Sequence, residues 1–260
     1  MTRFGLRGLF ATMRGAIAEA RANRAAFAFQ VGVMIANDLV WIAFWVLFFR
    51  KVGSVHGWDA RRIRVLFAVL TTAGGITLGF LANARRVGTM AVAGELDAVL
   101  ALPVMPLAYL LVRRIEPTNI GDVIFGVGLF TFGCAPTPSR TATFLVVVIA
   151  SATLITSFLV LTGSLAFFAG RSEGGELGFH ALLLLGNYPV DVFAGAAKIF
   201  VYSVVPAAFV STVPARLVDH FSAGLAAWLA IVTVVFALAA QRLFSVGLRR
   251  YTSGAVWTRA

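Results

Sequence analysis

Cysteine, lysine and acidic residues are the scarce ones in this 260-residue sequence. The single cysteine, Cys134, cannot close an internal disulfide, and with three scattered histidines (His56, His180, His220) it forms no cluster at metal-ligand spacing. The histidines fall in no H-E-x-x-H pattern, which leaves zinc-hydrolase chemistry without its residues. Of the 22 basic residues only Lys51 and Lys198 are lysines. Val52 follows the first and Ile199 the second, and neither stands behind a glycine loop, so the chain has no G-x-x-x-x-G-K-[ST] cradle for nucleotide phosphates. It cannot consume ATP by itself. Charged residues make up only 13% of the chain. Hydrophobic residues make up 60%, and with glycine added the apolar share lies far above the roughly 45–50% of soluble domains. Mean hydropathy is +0.90. Such a chain cannot cover a surface with polar groups, so its solvent is a bilayer.

A hydrocarbon core of about 30 Å needs roughly 20 apolar residues in a helix. Six charge-poor runs meet or approach that length: 25–49, 65–84, 123–139, 141–170, 199–215 and 221–241. They predict an all-α polytopic membrane protein of six transmembrane helices. Two shorter runs, 98–112 and 177–190, read as interfacial or cytoplasmic helices. With both termini inside, 15 of the 22 basic residues fall on the inner side, which favours an N-in/C-in topology. Arg50, Lys51, Arg61, Arg62 and Arg64 run against that rule in the first outer loop. The net charge of +11 is then a matter of topology and anionic headgroups rather than nucleic acid.

Residues 1–24 lack the compact apolar core of a signal peptide. Leu6, Leu9, Phe10, Met13 and Ile17 share one sector of a helix, with Arg3, Arg7, Arg14 and Arg21 along its flank. That pattern predicts an amphipathic helix lying in the membrane surface. The membrane-spanning body is expected over 25–248, with a cytoplasmic region at 85–118 and a cytoplasmic tail at 249–260.

An acid inside the bilayer is costly and is usually there for function. Asp38 lies thirteen residues past Ala25, near mid-membrane, and reads as the single mid-span acid. Asn37 adjoins it, and Trp41 and Trp45 follow on the same helical face. The four make a candidate wall for a substrate pathway. An interhelical hydrogen bond that only fixes packing explains Asn37 equally well. Thr71, Thr72, Thr153, Thr156 and Ser157 read as packing contacts between closely approaching helices. In the region 85–118, Gly94, Glu95, Leu96 and Asp97 precede a short apolar stretch ending at Pro103. The acids suit a helix N-terminus, and Leu96, Leu100 and Pro103 give the helix an apolar side that can dock in a partner's groove.

Several motifs in order resemble one family. They are Gly57-Trp58, Gly94-Glu95-Leu96-Asp97 with Pro103, Tyr188-Pro189-Val190-Asp191-Val192-Phe193, Pro206-Ala207-Ala208-Phe209, Pro214-Ala215, and Leu248-Arg249-Arg250-Tyr251-Thr252-Ser253. Together they resemble the permease subunits of type-2 ABC exporters, in particular the small six-span subgroup. The resemblance implies a chain without catalytic residues or cofactor of its own, working with two copies of a cytoplasmic ATPase subunit that binds ATP and Mg, and with a second permease copy or sister permease. It implies a bacterial cytoplasmic membrane and an amphiphilic or hydrophobic cargo such as a drug, antibiotic, lipid or peptide. It makes 94–103 the coupling helix, with Gly94, Glu95, Leu96, Asp97, Leu100 and Pro103 facing the ATPase, and 1–24 an elbow helix. Tyr188, Pro189, Asp191 and Phe193 are then expected at the cytoplasmic entrance of span five. Pro206 and Pro214 are expected to kink or break that span toward the outer side. Two other functions remain open on the residues: a proton-coupled carrier using Asp38, and a scaffold that transports nothing.

Overall fold

Helix starts and stops are written into the chain by short polar side chains, prolines and one glycine. The computed structural model describes residues 3–103 and 105–251, with side chains from position 7 onward. The side chains of Arg3 and Leu6, and the expected tail from 252 on with Arg259, lie outside the described residues. The first helix, α1 (Arg3–Ala20), ends before Asn23, whose side chain accepts a hydrogen bond from the Ala26 N–H and opens α2 (Arg24–Val52). Gly53, at φ +81, closes α2, where Arg50 and Lys51 meet the negative end of the helix dipole. Asp59 caps α3 (Ala60–Gly75), which runs on through a π turn to Phe80. The short helices α4 (Val87–Val92), α5 (Asp97–Leu100) and α6 (Pro106–Val112) follow. Prolines then occupy the first turns of α7 (Pro117–Gly133) and α8 (Pro138–Ser164). The remaining helices are α9 (Ala166–Ala169), α10 (Glu173–Gly186), α11 (Gly195–Ser203), α12 (Val213–Asp219) and α13 (Ala223–Arg250). Among the described residues there is no strand beyond one isolated bridge, Val55 with Trp58.

Four helical stretches are long and apolar enough to cross a membrane: Arg24–Val52, Ala60–Phe80, Pro138–Ala169 and Ala223–Arg250. A fifth candidate is the pair formed by α11 and 208–219, which is bent by 68°. The second and third of these stretches form the centre, with most of their residues buried, while α2 and α13 keep their apolar surfaces turned outward. Exposed Phe29, Val40, Phe44 and Leu47 on α2 are what a lipid-facing or partner-facing helix shows. Side by side, α7 packs on α2 and α3, and α8 packs on α3, α10 and α13. Gly121 permits the α2–α7 contact: a Cβ there would stand 2.7 Å from the Val31 carbonyl oxygen and 2.9 Å from Met34 Cβ.

Salt bridges and hydrogen bonds sort the bundle into two ends. At one end Arg62 and Arg140 converge on Asp219, at 3.9 and 3.0 Å, and Trp58 Nε1 donates to Asp191 at 2.8 Å. At the other, Arg85 pairs with Glu176 at 3.5 Å and stacks over Phe179, while Arg250 lies over the Phe168 ring. Glu176 and Asp191 therefore stand at opposite ends, and α10 with the turn after it runs the length of the bundle. The run 177–190, expected as an interfacial or cytoplasmic helix, thus reaches from one end of the bundle to the other. Lys198 on α11 and Arg216 on α12 both reach Asp191, so the bent pair leaves the Trp58 end and returns to it. Its two arms pair with one carboxylate, so the stretch expected as a span over 199–215 is bent, a broken span or a re-entrant loop rather than one straight helix. The motif Tyr188–Phe193 consequently sits at the Trp58 end, away from Arg85, and not at the entrance beside the 85–118 region.

Candidate functional site

The cavity that collects the expected pathway residues lies between α2 and α10 with α3 as its floor. Its volume is about 300 Å³, and Asn37, Asp38 and Trp41 line it from α2. Across from them stand Phe179, Leu182, Leu183 and Asn187 of α10 and the turn after it, with Phe67, Thr71 and Gly74 of α3 below. Trp45 is not part of this wall. It is buried, and its ring packs against Phe49, Phe67 and Tyr188, at centroid distances of 5.8, 6.5 and 5.7 Å. At 100° per residue, the step from Trp41 to Trp45 turns the helix just far enough to move the second ring into the core. Thr71 lines the cavity and, with Thr72, also packs closely on Gly126 of α7, while the Thr156 hydroxyl meets Thr77 at 3.2 Å, as expected of packing contacts.

Asp38 is not the single mid-span acid. Pro117 starts α7 six residues ahead of the apolar run at 123–139, so Asp122 lies inside that helix, buried and turned toward Asp38. The sequence pattern hides it because a charge ends an apolar run. The signal was Pro117, a favoured first-turn residue one and a half turns earlier. Gly121 brings the two helices close enough for the carboxyls to face each other.

Gly94 stands at φ +76, two residues past the end of α4, and stops that helix as a left-handed cap. Asp97 opens α5, which is a single turn. Leu96 is buried, so it anchors the turn inward and does not supply the exposed apolar side expected of it. That side is made by Leu100 and Pro103 together with Leu102 and Met105, two exposed residues around the proline that the reading of 94–103 passed over. Glu95 faces a separate polar cleft of about 670 Å³ shared with Glu19 of α1 and with Arg86, Arg113 and Arg114. At the end of α13, Tyr251 packs edge-on to Phe167, at 6.3 Å, and its phenol is pushed up to about 12 by burial and by the facing Asp97 carboxylate. Tyr251, directly after α13, and the α5 turn are thus packed together.

At the Trp58 end, two motifs far apart in sequence become one joint. The Asp191 carboxylate accepts from buried Trp58 and pairs with Arg216, with Lys198 at 4.0 Å. Tyr188 and Phe193 pack on the core on either side of it, and Pro189 leads into the 3-10 turn Val190–Val192. Pro206 is buried at the bend after α11. Pro214 is in the first turn of α12, directly after the π turn Ala208–Thr212, which absorbs the ring's clash with the preceding turn. Of the two prolines, Pro206 is at the bend and Pro214 is not. Arg62, Arg140 and Asp219 account for part of the basic first loop, while Arg50 and Lys51 end α2.

Gly170, Ser172 and Gly174 also match G-x-S-x-G spacing, but a nucleophile elbow needs a strand entering the turn, and here α9 enters it. Among the described residues no three His, Cys, Asp or Glu are grouped to hold a metal. A family model described as ABC-2 family transporter protein matches residues 35–255. No curated protein and no solved structure matches the chain.

Proposed function

The chain belongs to the ABC-2 transporter family, and from that premise we propose that it is the permease subunit of an ATP-driven exporter. It is a multi-pass membrane protein, and its family pairs with ATP-binding cassette subunits. In this reading two cytoplasmic ATPase subunits bind ATP and Mg, and two permeases, identical or sister chains, form the pore in a bacterial cytoplasmic membrane. The observation that carries it is the cavity over α3, walled by α2 and α10, with buried carboxyls at its side.

The six spans of this proposal are α2, α3, α7, α8, α10 and α13, with α11 and α12 as a re-entrant hairpin on the outer side. Two features support that assignment: the parity of the two bundle ends and the return of the hairpin to Asp191. Both termini are then inside, and Lys198 is the one basic residue that changes sides from the sequence-based count. The region 85–118 and α1, as the elbow helix, meet the ATPase. Closure of the paired ATPases on ATP moves the turn 94–103 as a rigid piece, and the permease interface passes from inward to outward exposure. The cavity then releases a hydrophobic or amphiphilic substrate outward.

Two measurements test this. Affinity-tagged chain, expressed with its neighbouring genes, should bring down an ATP-hydrolysing subunit; recovery without one overturns the exporter reading in favour of a carrier or a scaffold. Alanine at Glu95 or Leu100 should leave membrane insertion intact and lower substrate-stimulated ATP hydrolysis at least several-fold. Normal stimulation in both variants removes the coupling role. A proton-coupled carrier built on Asp38 and Asp122 would work without any ATPase and would follow the proton gradient.

A further inference from the structure

The cavity between α2 and α10 has apolar walls and an acidic side with nothing basic to answer it. Asp38 and Asp122 enter it from α2 and α7, 5% and 6% exposed. Oδ2 of the first and Oδ1 of the second are buried without a hydrogen-bond donor. The two carboxyls are within hydrogen-bonding reach of each other. Among the described residues lining the cavity there is no Lys, Arg or His. Two carboxylates this close in a low-dielectric site repel each other, and either a shared proton or a cation bound beside the pair relieves that repulsion.

The rest of the lining narrows which cation fits. A divalent metal takes six or more oxygen ligands, or a tight set of protein donors, and two carboxyls with a few amides fall short of that. An ammonium group has three donors and no acceptor, which matches two carboxylates and the side-chain oxygen of a neighbouring amide such as Asn37. Trp41 and Phe67 add aromatic faces, to which a cation is attracted. The remaining surface is mostly apolar and has room for a hydrocarbon body within about 300 Å³.

We infer that this cavity binds an organic cation, a primary amine on an apolar body, with Asp38 and Asp122 together holding its ammonium. That the amine is the transported substrate rests on the permease reading; that it binds does not. The test uses the full chain in phosphatidylcholine nanodiscs and equilibrium dialysis of labelled octylammonium, with octanol as the uncharged probe. Asp38→Asn and Asp122→Asn should each weaken octylammonium by about tenfold or more, the loss expected for a charge-assisted hydrogen bond, and leave octanol unchanged. A third variant acts from the floor without touching the acids. A Cβ at Gly74 meets nothing within 4 Å, so Gly74→Leu should fill the cavity and remove both probes while thermal stability holds. The inference is overturned if octanol binds the native chain as tightly as octylammonium, if Asp122→Asn keeps full amine affinity, or if Gly74→Leu does. A native chain that binds no octylammonium but co-purifies with an ATPase overturns this inference alone; one that binds octylammonium but recovers no ATPase overturns the exporter reading and keeps the cation site.

Discussion

At the residue scale the most telling side chain is Asp191. Its carboxylate joins a tryptophan from the first loop to a lysine and an arginine from the two arms of the bent pair. Trp58 is nearly fully buried, so its indole N–H has no access to water and depends on that one acceptor. Asp191→Asn should therefore cost about 1–3 kcal/mol, and Trp58→Phe about 1 kcal/mol. Both would be read as lowered melting temperatures in detergent. A double-mutant cycle should show the pair coupled; strict additivity would mean that the joint contributes nothing to the fold. Each motif could be seen in the sequence, but their contact could not. The two residues are separated by 133 positions, and no periodicity reports on a pair so far apart. Asp122 is a second case, hidden because hydropathy treats a charge as the end of a span, whereas a buried partner allows it inside one.

At the element scale the bundle depends on small residues where helices meet. Gly121 lets α2 and α7 approach to backbone contact, and the same approach turns Asp122 toward Asp38. Gly121→Ala would place a Cβ 2.7 Å from the Val31 carbonyl oxygen, so the helices must separate. The expected cost is about 1–3 kcal/mol, with weakened amine binding as a second consequence. Gly128 on the same helix has nothing within 4 Å of its Cβ position, and Gly128→Ala should stay within about 0.5 kcal/mol of the parent. Equal melting temperatures for the two variants would refute the close-approach argument. Helix ends were largely legible, since Asn23, Asp59, Pro117 and Pro138 mark starts by known chemistry. The extent of α10 was not. Its 14 residues, about 21 Å of helix, look too short to matter until the contacts at its two ends are seen.

For the whole molecule the decisive question is on which side each segment lies. In the proposed arrangement, with α10 crossing and α11–α12 returning, Lys198 belongs with Ser54 of the first loop and opposite Arg85. Single cysteines at these three positions, in a Cys134→Ala background, should label accordingly in intact cells: positions 54 and 198 with an impermeant maleimide, position 85 only after permeabilisation. Labelling of position 198 only after permeabilisation would restore a span over 199–215. In the proposed complex the exposed apolar faces of α2 and α13 meet lipid or a second permease, in contrast to the buried α3 and α8.

The amino-acid sequence by itself determined that this chain lives in a bilayer, that it is built of helices, and that it carries no G-x-x-x-x-G-K-[ST] pattern, because solvent class and motif chemistry depend on residue type and local spacing alone. The ordered motifs placed it near its family for the same reason. Only the tertiary structure decided that Trp45 and Leu96 turn inward, that Asp38 faces a second acid, and that the chain between Tyr188 and Asp219 folds back on one end. Those outcomes depend on which helices touch, and a bilayer offers no hydrophobic gradient between helices that a sequence pattern could record.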